Sequence, residues 1–112
     1  MPSFAENLKQ LPSVDDLQAL ELYGDGYEPE AVIENAPGSQ GSLAVYYHVA
    51  VQHGGLTPKA AQEALELFAE HTADARANPG ARPNIDRLFR IIEQDMFYSV
   101  KAVPKASGIA EN

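Results

Sequence analysis

The chain has no cysteine. That excludes disulfides and thiolate metal sites, and it fits a reducing compartment. No apolar run is long enough to cross a bilayer. Residues 1–10 are short and mixed rather than basic and then apolar, so no secretory leader is expected. The expectation is a cytoplasmic bacterial protein with no membrane partner. Positive charge is also scarce. Eight Lys and Arg stand against sixteen Asp and Glu, a formal net charge of −8. Neutralising phosphates needs Lys and Arg, so nucleic acid is not expected as the main partner.

The deficit is uneven. Residues 1–58 hold eight acids (Glu6, Asp15, Asp16, Glu21, Asp25, Glu28, Glu30 and Glu34) and a single base, Lys9. Residues 59–112 hold eight acids and seven bases, with all four arginines at Arg76, Arg82, Arg87 and Arg90. The plain reading of the arginines is pairing with the chain's own acids, such as Asp74, Asp86 and Glu93. The sharper alternative is a site for an anion or an acidic partner. The acidic N-terminal part is either an ordinary solvated surface or a face for a basic partner.

Residues 37–56 form the longest run with almost no charge, and both ends carry glycine. Leu43, Val45, Tyr47, Val49 and Val51 alternate as in a strand. Ser39 or Ser42 can cap a helix at its start, and Gly54 can end one in the left-handed conformation with Leu56 packing back. Caps need particular residues at particular places, and these are present, so a helix is the preferred reading. The other elements must cover it.

Ser3 and Glu6 form a capping-box pattern for a helix over residues 4–11, which Pro12 stops. Residues 17–23 and 30–34 read as a hairpin around Gly24-Asp25-Gly26, a turn of the kind that needs positive φ. Thr57 and Pro58 start a helix whose apolar positions Ala61, Ala64, Leu65, Phe68 and Thr72 recur at helical spacing. That helix runs to about Ala77, before Asn78-Pro79-Gly80. Asn84 caps a fourth helix with Ile85, Leu88, Phe89 and Ile92 inward, and Asp86 sits favourably in its first turn. Residues 97–103 alternate as a last strand. The expected fold class is α+β: a small antiparallel sheet, N-terminal hairpin plus C-terminal strand, covered by three to four helices. Residues 1–104 make a single domain, and residues 105–112 a frayed tail.

Gly38, Ser39, Gln40, Gly41 and Ser42 precede the central helix. Small residues there expose backbone N–H groups, and a helix N-terminus favours anions. No Lys follows the second glycine, so this is no P-loop, and the dinucleotide-binding glycine pattern is absent. The alternative is a loop that caps its helix and lets two backbones approach. Tyr46, Tyr47 and His48 form an aromatic cluster that suits a pocket with a polar pair, or a core with satisfied polar tips. His48 and His53 are five apart, which does not put two ligands on one helix face. His48 can approach Glu63 or Glu66 across a helix pair, and no metal site is expected. No nucleophile, base and orienting group can be named together, so no catalytic residue and no cofactor is assigned.

The hairpin followed by PGSQGSLAVYYH, then HGGLTPKAAQEALELFAEHT, then ARANPGARPNIDRLF, resembles a family of small uncharacterised proteobacterial proteins, over roughly residues 8–103. The resemblance implies a single cytoplasmic bacterial domain and carries over no functional residue. The leading functional expectation is a non-enzymatic protein-interaction module, self-associating or docking on a basic protein surface. The second is a small-molecule or anion-binding protein, or enzyme, using the loop from Gly38 to Ser42. The third is an acidic inhibitor mimicking nucleic acid.

Overall fold

The structure, a computed structural model, describes residues 2–106. Three strands form one antiparallel sheet in the order β2-β1-β3: β1 Leu17–Tyr23, β2 Ala31–Glu34 and β3 Ser99–Pro104. In register, Leu20 lies between Ile33 and Ala102, and Glu21 between Val32 and Lys101. Successive side chains alternate, so Leu20, Leu22 and Ile33 are buried on one face and Val32 and Lys101 are exposed on the other. The helices cover the first face. This is the expected α+β architecture.

Helix α1, Phe4–Gln10, starts with the expected capping box: the Glu6 N–H donates to Ser3 Oγ, and the Ser3 N–H to Glu6 Oε1. No residue of α1 is fully buried. The hairpin expectation needs a correction at its tip. Residues 24–30 link the strands, and neither Gly24 nor Gly26 has positive φ. A loop this long reverses the chain without the left-handed residues a two-residue turn requires. The Glu30 N–H closes it on the Leu22 carbonyl.

The central segment is helix α2, Gln40–His53, apolar nearly all round, with Leu43, Val45, Tyr46, Val49 and Ala50 buried. Gly54 ends it at φ 73, and the N–H groups of Gly54 and Gly55 both close on the Ala50 carbonyl. Thr57 then caps α3, Pro58–Phe68, with Pro58 at its first position. The single helix expected from Thr57 to Ala77 is two. Ala69 (φ 51, ψ −118) interrupts it, and α4 spans Glu70–Ala77. The break frees the Leu65 carbonyl, because the Ala69 N–H turns to Glu66; the buried Thr72 hydroxyl takes it at 2.6 Å. Helix α5, Pro83–Glu93, has Arg82 rather than Asn84 at its cap position. Asn84 lies inside the first turn, where its Oδ1 accepts from Arg87.

The buried side chains form one core. Tyr46, wholly buried, ties α2 to α5: its hydroxyl donates to the Asn84 carbonyl and accepts from Arg87. Lys105 donates its N–H to the Asp16 carbonyl, and the rest of the expected tail, from residue 107, lies outside the described residues. No described helix is long and apolar enough to cross a membrane.

Candidate functional site

The turn before α2 sets up the site. Gly38 adopts φ 93, and the N–H groups of Ser39 and Gln40 both close on Ala36. Ser39 occupies the cap position, but it does not cap. Its hydroxyl donates backwards to the Glu34 carbonyl at 2.6 Å, which anchors the turn to β2. Ser42 is inside the helix and forms no cap either. The N–H groups of Gly41 and Ser42 therefore have no protein acceptor among the described residues. Both orphan donors carry the positive end of the helix dipole.

A second helix start faces the same space. Gly80 (φ 92) turns the chain, with its N–H held by Asp86 Oδ2. Pro83 has no N–H, and the Asn84 N–H has no acceptor among the described residues. Arg82 donates Nε to Asp74 at 2.7 Å, and that pair, with Asn78, holds the Asp74 carboxyl below its usual range. The two helix starts line one cleft of about 400 Å³. Its apolar wall is Phe4, Leu8, Phe68 and Ile85, and His71 lies beside them.

Helix α1 supplies Phe4 and Leu8 of that wall. The Phe4 ring stacks on Phe68 with centroids 5.3 Å apart and meets His71 edge-on at 4.8 Å. Its N–H donates to Glu70 Oε1, which holds the Glu70 carboxyl below its usual range. Gly41 allows the approach: a Cβ there would lie 2.7 Å from Phe4 Cζ. The glycine is needed for contact rather than for φ.

Of the five loop residues singled out in the sequence, Gly38, Gln40, Gly41 and Ser42 line this cleft, and Ser39 is spent on Glu34. Tyr46, Tyr47 and His48 are not brought together. The Tyr46 hydroxyl is turned to α5, and burial pushes it up to about 12, with the Arg87 charge opposing. Tyr47 borders a separate groove against β3. His48 faces Glu63, as the helix pairing predicts, with Nε2 3.8 Å from Oε2. The same carboxylate hydrogen-bonds His53 Nε2 through Oε1 at 2.9 Å. Among the described residues no three such side chains are set to hold a metal ion. A broader groove of about 1130 Å³ along the α3–α4 break carries Glu63, Glu66 and Glu70 against Arg76.

The arginines pair largely within the chain. Arg82 meets Asp74, Arg76 covers the Phe89 ring at 4.9 Å, and Arg87 serves Tyr46 and Asn84. Sequence reasoning missed Phe4, His71, Arg82 and the Asn84 N–H as neighbours of the loop. Gly80 followed by Pro83 does signal a second helix start. Nothing in the sequence says that it faces the first.

Residues 4–102 match the model of a family described as an uncharacterized protein conserved in bacteria, DUF2322. The chain belongs to that family. None of the curated proteins and none of the solved structures compared matches it. Membership of DUF2322 assigns no activity.

Proposed function

We propose that the domain binds a small organic anion in the cleft between the starts of α2 and α5. The observation that carries this is the convergence of two helix N-termini, with the free N–H groups of Gly41, Ser42 and Asn84, on one space of about 400 Å³. Oriented N–H donors and two dipole ends favour a carboxylate or phosphate there. Phe4, Leu8, Phe68 and Ile85 suit an apolar body behind the charged group. Thermal-shift measurements with phosphate, benzoate and neutral benzamide test it, because a ligand of the folded state raises its stability. Benzoate raises Tm and benzamide does not. Equal responses to the two aromatic probes contradict the anion reading.

A second reading, the protein-interaction module, is favoured by a different observation. Val51 and Phe97 are 64% and 53% exposed; Val51 lines a groove between α2 and β3, away from the cleft, and the Phe97 ring lies against Gly55, another residue of that groove. The partner is a protein with a neutral or basic surface, given the net charge of −8. Affinity capture with purified domain, with and without Val51→Asp, tests it; capture unaffected by that change contradicts this face. The nucleic-acid mimic gains no such support. Asp15 and Asp16 precede β1, Glu21 and Glu34 lie on the open sheet face, and Asp25 and Glu28 sit in the loop between β1 and β2.

A further inference from the structure

The free edge of β3 has a specific direction. The carbonyls of Gln18 and Leu22 accept N–H bonds from Asn35 and Glu30, on the β2 side. Bonding directions alternate along a strand, so Ala19, Glu21 and Tyr23 turn towards β3, where their partners are Val103, Lys101 and Ser99. Tyr98, Val100 and Ala102 therefore point their N–H and C=O groups outward, away from β1. Tyr98 is already paired there. It exchanges both hydrogen bonds with Leu56, at 2.9 and 3.2 Å, in an isolated antiparallel bridge. Leu56 is thus a single residue of a fourth strand position, and the chain leaves that line at Gly54 to become α2.

Beyond Leu56 the line is open. The N–H and C=O groups of Val100 and Ala102 have no partner among the described residues. They border a groove of about 360 Å³ whose other wall is one face of α2: Tyr47, Ala50, Val51 and Gly54. Among the described residues no charged side chain lines it, in a chain that is 21% charged. Lys101 and Pro104 are residues that protect edges, but neither closes this one. The Lys101 side chain is on the open face beside Glu21, and Pro104 removes only a donor at the strand's end.

The geometry points to a strand-addition site: an extended peptide segment of a partner protein, apolar at every second position and without acidic residues, pairs with Val100 and Ala102 and packs against α2. This rests on the interaction reading above and adds its mode; it is independent of the anion cleft. An unpaired backbone edge calls for an extended chain, and a groove between edge and helix takes its alternate side chains. Ala50, Gly54 and Ala102 leave room for them. A second copy of this chain does not fit. In the symmetric register that uses both Val100 and Ala102, Lys101 of one copy faces Lys101 of the other. Pro104 of one copy then falls on the place that Leu56 holds in the other. Two chains of charge −8 also repel.

The test is amide hydrogen exchange by NMR with an acetylated heptapeptide amide, Lys-Thr-Val-Thr-Val-Thr-Lys, at about 1 mM. In the free protein, Val100 and Ala102 exchange fast and Lys101 and Val103 slowly. The peptide slows Val100 and Ala102 by roughly tenfold and leaves Lys101 and Val103 unchanged. The same peptide N-methylated at alternate residues gives no protection, because its edge cannot pair. Val51→Asp, at an exposed position, keeps the Tm and weakens binding roughly tenfold. Four results overturn the proposal: no protection by the peptide, equal protection by the methylated peptide, Val100 and Ala102 already slow in dilute free protein, or protection that grows with protein concentration alone. The last identifies a second copy. Capture of a protein through Val51 without protection of Val100 and Ala102 leaves the interaction reading standing and sinks strand addition.

Discussion

Replacing Gly41 by alanine probes how α1 closes the cleft. The new Cβ would stand 2.7 and 3.0 Å from Phe4 Cζ and Cε2, and 3.5 Å from Leu8 Cδ1. Gly41 is not at positive φ, so the destabilising part of the effect comes from contact. The Phe4 ring must move, and it is held by Phe68 and His71. An aromatic pair of this kind contributes about 0.5–1.5 kcal/mol. Against that, alanine in a helix gains about 0.5–1 kcal/mol over glycine. This position is in the first turn, so we take the lower end of that gain. Set against one such pair, this leaves a net loss of up to about 1 kcal/mol for Gly41→Ala. In a Phe4→Ala background the ring is gone and only the helix term remains. There Gly41→Ala stabilises by about 0.5 kcal/mol. Urea melts of the four proteins, at constant m, read the sign change directly. Gly41→Ala stabilising both backgrounds equally would refute the packing of α1 on the start of α2.

Three further outcomes follow from single groups. Thr72→Val leaves the Leu65 carbonyl without a partner at the helix break, and a denaturation midpoint should report a loss of about 1–3 kcal/mol. Gly55→Ala places a Cβ 3.0 Å from the Tyr98 carbonyl oxygen at φ +136, where backbone must move; we expect a loss of about 2 kcal/mol or more in the same assay. Tyr46 has its hydroxyl raised to about 12 in the folded state. The unfolded group ionises near 10, so stability owed to the neutral form is intact below that and is lost as pH rises towards 12. Wild type should therefore lose up to about 1.4 kcal/mol per pH unit across that window relative to Tyr46→Phe, and a flat difference contradicts burial of the hydroxyl.

Elements with local signatures were legible. The Ser3–Glu6 capping box, the Gly54 stop and the Thr57-Pro58 start each rest on residues that satisfy a helix end by themselves. The strand over residues 17–23 showed in its composition and in the turn residues around it. What failed turned on partners that compete with the local signal, some close in sequence and some far. Ala69 is a good helix former, and nothing around it signals a break. The break is held by the bond from Thr72 to Leu65 and by the seat of Phe4 between Phe68 and His71. Ser39 and Asn84 look like caps, but Ser39 binds β2 and Asn84 binds Arg87. The loop of the cleft was visible as glycines before a helix. Its opposite wall was not, because the start of α5 reaches it only through the packing of Tyr46.

The anion reading is tested most directly by ¹⁵N–¹H NMR of the labelled domain titrated with benzoate and, separately, benzamide. The account predicts that the amides of Gly41, Ser42 and Asn84 shift together, on one saturating curve, with benzoate and not with benzamide. Benzoate shifts that miss these three amides, or that never saturate, would contradict it.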